Sequence, residues 1–300
     1  MQQKGIAAPA KQRRSRLKLR IRFWGVRGTI PVPGPDTIRV GGNTSCIDVR
    51  TSDQQLIIID AGSGIRRLGQ HLSREQSGRI TGSILISHTH WDHIQGFPFF
   101  KPVFGRQNRF VLMGHKRVNQ HLEEALAGQF TESYLPFGYK TFPADLLVKE
   151  VKSGEKFIIG ESTKVQVAGL NHPGGSLGFR IEDKGSTFVY CSDTGHYVDG
   201  FTESVLELAQ GADFLVHDSH FATLTEARVY AEWGHSCWLE STQIAIEAKV
   251  NCLGLFHYSP DLSDDELDDI LIDARKMFPR TILTREGMVV NLPVGIELPD

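Results

Sequence analysis

Ser87-His88-Thr89-His90-Trp91-Asp92-His93 places three imidazoles and one carboxylate in seven residues, directly after the apolar run Ile84-Leu85-Ile86. Such a cluster sits where a buried strand ends and a loop begins. In an extended run His88 and His90 share a face and can grip one ion, while Asp92 and His93, on the turn that follows, can reach a second ion a few ångströms away. A solvated surface cluster has no reason to cap a buried strand at this spacing.

The second half repeats the arrangement three times. Residues 165–170 run into Asn171-His172-Pro173, residues 188–191 into Ser192-Asp193-Thr194, and residues 253–256 into His257-Tyr258-Ser259. Each β-prone run delivers one hard or borderline ligand at its end, which is how a sheet edge assembles a site from distant residues. Imidazole and carboxylate suit zinc, and also manganese or iron, in sites left open for water.

With these later residues, His-x-His-x-Asp-His after a strand resembles the metallo-β-lactamase superfamily, and within it the phosphodiesterase branch that includes the tRNA 3′-processing endonuclease. The resemblance spans roughly residues 19–290. It implies an α/β fold, a four-layer αββα sandwich with the site at one edge. It also implies two divalent ions, zinc foremost: His88, His90 and His172 on the first, Asp92, His93 and His257 on the second, and Asp193 bridging. Asp60, closing a buried strand in Asp60-Ala61-Gly62-Ser63-Gly64, becomes a residue that fixes the metal loop rather than a ligand. Leu215-Val216-His217-Asp218-Ser219 and Trp233-Gly234-His235-Ser236 resemble paired motifs in which a histidine supported by an acid approaches the phosphate. By residue match these are His235 and Asp218. The other reading of His235 is a helix-start residue beside the cap Ser236. Asp92, His235 and Asp218 are the candidate catalytic residues, Asp92 doubling as a ligand; His115 and His121 are read as non-ligands, and His217 and His220 as structural or peripheral.

The expected function is hydrolysis of a cyclic nucleotide or other small phosphodiester by a water activated between the ions. A group of bacterial metallo-hydrolases shares the Arg22-Phe23-Trp24-Gly25-Val26-Arg27-Gly28 opening and the Leu170-Asn171-His172-Pro173-Gly174-Gly175 segment. The alternatives are an RNA-processing endonuclease of the tRNase Z type, a lactone or thioester hydrolase, and a di-iron oxidoreductase or sensor. A basic N-terminal arm favours the endonuclease; the lack of a long Gly- and Lys-rich arm disfavours it. Di-iron proteins of this fold typically carry a glutamate where this chain has His90.

The elements that must position these groups follow from patterning. Residues 19–26 alternate apolar and basic and open the sheet, and a proline-rich loop follows from Arg27. Strands are expected around 46–50, 56–59 and 109–113, with amphipathic helices through Ile65, Leu68 and Leu72 and over 118–130. Gly41-Gly42-Asn43-Thr44-Ser45 resembles the segment that floors the site. Gln95-Gly96-Phe97-Pro98-Phe99-Phe100 either packs under the site or walls a pocket, and residues 134–139 form an irregular lid or edge. Ser263-Asp264-Asp265-Glu266 is a capping box, so its acidic run is structural.

Three hundred residues with 40% hydrophobic content can bury a sizeable core. The expected organisation is a basic tail over 1–18 and a single hydrolase domain over 19–300. Neither a membrane-length apolar run nor a signal-peptide core is visible, so a cytoplasmic protein without membrane partners is expected, and a homodimer is compatible with the sequence. Cys46, Cys191, Cys237 and Cys252 are widely spaced and read as reduced core thiols. The net charge of −2 hides a tail rich in Lys and Arg, which reads as a disordered, solvated segment, the alternative being an arm that touches nucleic acid.

Overall fold

A computed structural model of the chain describes residues 19–75, 78–115, 120–196, 202–293 and 295–297. The basic tail over 1–18 lies outside the described residues.

The chain builds two sheets in succession. Strands β1 (Leu19–Gly25), β2 (Cys46–Arg50), β3 (Leu56–Ile59), β4 (Thr81–Ile86), β5 (Arg109–His115) and β6 (Asp145–Val151) form the first. Strands β7 (Lys156–Ile159), β8 (Thr163–Leu170), β9 (Ser176–Asp183), β10 (Ser186–Cys191), β11 (Phe214–Asp218), β12 (Leu253–Phe256) and β13 (Thr281–Leu283) form the second. The chain then returns to the first sheet as β14 (Val289–Leu292) and β15 (Gly295–Glu297), giving the orders β15-β14-β1-β2-β3-β4-β5-β6 and β13-β12-β11-β10-β9-β8-β7.

Strand periodicity explains the layering. In β3, Ile57 and Ile59 join a core cluster that also holds Phe179, Phe188, Phe214 and Phe256 from the second sheet. Leu56 and Ile58 point the other way, into a second cluster with Leu68 and Leu72. A strand apolar on both faces must be covered twice, so the run Leu56-Ile57-Ile58-Ile59 demands a sheet on one side and a helix on the other. Helix Ile65–Glu75 supplies that outer layer; helices Glu203–Ala209, Trp238–Glu247 and Asp264–Met277 contribute Leu208, Ile244 and Leu267 over the second sheet. The result is the expected αββα sandwich.

Several local expectations hold. The Ser263 hydroxyl accepts from Glu266 N at 3.3 Å while Ser263 N donates to Glu266 at 2.8 Å, so the acidic run caps its helix. All four cysteines are buried free thiols. Phe97 and Phe100 are fully buried in the outer core of the first sheet, so these two rings pack, while Phe99 is 51% exposed. The helix expected over 118–130 is shorter: it runs Leu122–Ala127 and tightens into a 3-10 turn over Gly128–Phe130. His121 N donates to Glu124, which starts the helix at Leu122, and the 118–119 portion lies outside the described residues. Among the described residues no helix is long and apolar enough to cross a membrane.

Candidate metal centre and phosphate-side dyad

The strand ends converge where the two sheets meet. His257 N donates to Val26 O at 2.9 Å and Gly28 N to Tyr258 O at 2.9 Å, which stitches the end of β1 to the end of β12. Leu177 N donates to Ser87 O at 3.0 Å across the sandwich.

The structure brings His88, His90 and His172 into one group and Asp92, His93, Asp193 and His257 into another, each with its ligand atoms within 4.8 Å of one another. In the first, His172 Nε2 lies 3.0 Å from His90 Nδ1. In the second, His93 Nε2 is 3.2 Å from both Asp92 and Asp193, and His257 Nε2 is 3.0 Å from Asp92 and 3.3 Å from Asp193. Asp193 Oδ1 also lies 3.8 Å from His88 Nε2 and 3.8 Å from His172 Nε2, so this carboxylate stands between the groups.

The chemistry of this donor set fits cations. His172 Nδ1 donates to Gly234 O at 3.0 Å, His93 Nδ1 to Asp60 at 2.8 Å, and His88 Nδ1 sits 3.1 Å from Ser87 Oγ; each leaves its Nε2 lone pair facing the shared centre. His88 Nε2 is buried with no hydrogen-bond partner. Among the described residues, the ion-pair partners of buried Asp60, Asp92, Asp193 and Asp218 are all histidines. Burial, then neighbouring His93, holds His88 well below its usual range, and burial also lowers His172. In the second group, burial opposes ionisation but loses: Asp193, Asp92 and Asp60 raise His93 well above its usual range, and His257, His93 and His88 hold Asp193 well below its own. Neutral imidazoles on one side and carboxylates seeking positive charge on the other suit divalent metal ions.

Two buried carboxylates hold the ligand loops. Asp60 accepts from Ser87 N at 2.7 Å, Ser87 Oγ at 2.8 Å, His93 Nδ1 at 2.8 Å and Tyr190 Oη at 2.7 Å, tying the end of β3 to the His-rich loop and to β10. Asp218 accepts from Asp193 N at 3.0 Å, His220 N at 3.1 Å, Ser236 N at 2.9 Å and His235 Nδ1 at 2.8 Å. Against its burial, the neighbouring His235 brings Asp218 down to about 2. Because Asp60→Ala would strand its donors in the core, it is expected to cost about 3–5 kcal/mol in urea unfolding of the metal-free protein, with Asp60→Asn losing less. A loss under ~1 kcal/mol would remove Asp60 from this role.

The backbone is strained where it serves the site. Asp60, Asp193 and His257 adopt positive φ of 58°, 56° and 63°. Left-handed residues at three strand ends turn the side chains sharply back over the sheet edge. A Cβ on Gly28 would fall 2.5 Å from His257 Cε1, so glycine is needed for the loop to lie against that ring. The next residue, Thr29, donates its N–H to Asp92 Oδ2 at 2.9 Å. Buried Arg27 anchors the loop through Gly41 O at 3.0 Å, Ser259 O at 3.2 Å and Asp264 at 3.4 Å. In the 41–45 segment, Thr44 Oγ1 accepts from Ser63 N at 2.8 Å and from Gln95 at 3.1 Å, which ties this loop to the start of the first helix and to the turn after His93.

His235, on the opposite wall, has ring centroids 5.0 Å from His172 and 5.1 Å from His257. Ser236 N bonds Asp218, while helix Trp238–Glu247 takes Cys237 as its N-cap, so His235 stands outside the helix start. His220 is not peripheral. Its ring stacks on His235 at 4.4 Å and its Nδ1 donates to His257 O at 3.1 Å; burial, then His235 and His257, bring it down to about 3. Nothing local in the sequence marks His220 or Tyr190, and Ser87 stands out only as the first residue of the His-rich run. His217 and His121 lie elsewhere: His217 bonds Ser241 Oγ at 3.0 Å in the core, and His121 pairs with Glu150 at 2.8 Å on the surface.

An αββα sandwich whose edge gathers five imidazoles and two carboxylates in two adjoining groups has the architecture of a metal-dependent hydrolase. The chain belongs to the beta-lactamase superfamily, whose domain model matches residues 55–258. It is 26% identical to Ribonuclease Z of Methanosarcina acetivorans, an alignment covering 92% of this chain and 98% of that protein. Among solved structures it is similar to the metallo-beta-lactamase fold protein YhfI of Bacillus subtilis, with a TM-score of 0.69 at 19% identity over 91% of this chain and 98% of that one. It is also similar to the short form of human tRNase Z, with a TM-score of 0.63 at 19% identity over 94% of this chain and 100% of that one.

Proposed function

We propose that this chain is a binuclear metal-dependent phosphodiesterase acting on RNA. The observation that carries the phosphodiester assignment is the His235–Asp218 pair, 2.8 Å apart and set against His172 and His257, where a proton donor would meet a leaving alkoxide. Similarity to a Ribonuclease Z across 92% of the chain supports RNA as the substrate class. A cyclic nucleotide or other small phosphodiester is the second reading, favoured by the 22–28 and 170–175 segments shared with bacterial metallo-hydrolases.

His88, His90 and His172 would hold one ion, Asp92, His93 and His257 the other, and Asp193 would bridge. When bound, the ions supply Lewis acidity toward phosphoryl oxygens and an activated water at neutral pH. The chain's own residues do the rest. Asp92, fixed by the Thr29 N–H, orients the attacking side; Asp218 accepts from His235 Nδ1, which aims Nε2 at the substrate; protonated His235 delivers its Nε2 proton to the departing oxygen.

The test is a screen of the zinc- or manganese-reconstituted protein against a 3′-extended transfer RNA, single-stranded RNA, cyclic nucleotides, an aryl phosphodiester and a lactone. RNA cleavage is expected, with the aryl diester also turned over. Cleavage of cyclic nucleotides alone would favour the second reading, and lactone turnover without any phosphodiester turnover would overturn both.

A further inference from the structure

The turn that carries His235 also carries an aromatic surface that the hydrolytic groups do not use. Tyr230 and Trp233 lie with ring centroids 4.6 Å apart at 33°. Phe221 packs beneath both, at 5.9 Å and 6.4 Å, and meets the His235 ring at 6.2 Å. An unbroken aromatic path therefore leads from the His235 imidazole to solvent, where Tyr230 is 41% and Trp233 50% exposed.

The position of this wall is fixed by the site. The 3-10 turn Ala231–Trp233 ends on Gly234, whose φ is +69°, and a Cβ there would fall 2.8 Å from His172 Cα and 2.7 Å from Pro173 Cδ. Gly234 O also accepts from His172 Nδ1 at 3.0 Å. The turn cannot swing away without disturbing the His172 loop. Residues 230–233 carry no basic side chain that could grip a phosphate, so what the turn offers an occupant is the exposed rings of Tyr230 and Trp233. Pre-positioned aromatic faces stack any base, since every base has a π-face.

We infer that the Tyr230–Trp233 surface is the subsite for the leaving half of a nucleotidic phosphodiester, where it stacks the base of the nucleoside that departs from phosphorus. This rests on the phosphodiesterase reading, in which His235 sits at the leaving oxygen. The path from His235 through Phe221 to Trp233 runs in ring-to-ring steps of 6.2 Å and 6.4 Å, which sets the stacked base on the His235 side of the reacting phosphate.

The experiment compares two substrates on the metal-reconstituted full chain. One is adenylyl-adenosine, whose products identify the departing nucleoside; the other is the methyl phosphodiester with methanol in that nucleoside's place. Wild type is expected to prefer the dinucleotide in kcat/KM. Trp233→Ala should reduce that preference by about 10–100-fold, mostly through KM, and Trp233→Phe, which keeps an aromatic face, should retain most of it. A preference that survives Trp233→Ala overturns the subsite. If neither substrate is cleaved by wild type, the subsite is judged by adenosine binding, read by calorimetry, while the phosphodiesterase reading is judged separately on RNA and the aryl phosphodiester. Saturable adenosine binding that is lost in Trp233→Ala supports the subsite; absence of saturable binding to wild type overturns it.

Discussion

Asp193→Ala is expected to lose both metal ions together, with hydrolysis falling by on the order of 10³-fold or more, the size of several kcal/mol of charge stabilisation at phosphorus. The reason is geometric. Asp193 is the carboxylate common to both groups, with Oδ2 at 3.2 Å from His93 and Oδ1 at 3.3 Å from His257, 3.8 Å from His88 and 3.8 Å from His172. Removing it also takes away one of the carboxylates facing His93 and His257, which keep Asp60 and Asp92 as partners. His88→Ala, by contrast, touches only the first group and should leave one ion bound. Elemental analysis of reconstituted protein, with circular dichroism to establish folding, separates the two. An Asp193→Ala protein holding two tightly bound ions would end the bridge assignment.

The second large effect is selective. His235→Ala should keep both ions and the fold, yet lower cleavage of RNA or a cyclic nucleotide by about 10²–10⁴-fold, the usual contribution of a general acid. An aryl phosphodiester, whose phenolate leaves without help, should lose far less. Loss of a metal ligand would damage both substrates alike, so the ratio of the two rates isolates proton delivery. Asp218→Asn should show the same selectivity in weaker form, because Asp218 orients the imidazole at 2.8 Å and also anchors the N–H groups of Asp193, His220 and Ser236. Equal losses on both substrates would remove His235 from the role of acid.

These predictions start from residues that local pattern exposed. His88, His90, Asp92 and His93 lie within a few residues of one another, and His172, Asp193 and His257 each follow a β-prone apolar run. Strand ends are where a sheet leaves polar groups at its rim, so residue type and position together pointed to a site. The paired motifs around Asp218 and His235 were legible only through family resemblance; the 2.8 Å bond between them was not written in their spacing. The helix expected over 118–130 starts at Leu122 because the His121 N–H is taken by the Glu124 side chain, a contact that an apolar period alone does not reveal.

By itself, then, the sequence determined the candidate ligand types, their order along the chain, the strands that deliver them, and the capping of the acidic helix. All of these depend on neighbours a few residues apart, where periodicity of 2 or 3.6 and side-chain chemistry suffice. Tertiary structure alone decided that Asp60 would be the hub joining Ser87, His93 and Tyr190, the last of them 130 residues away. It decided equally that His220 would lie under His235, that Gly28 would be pressed against His257, and that Tyr230, Trp233 and His235 would gather around Phe221. Such contacts join groups whose meeting depends on how two sheets twist and pack, which no local pattern of residues encodes.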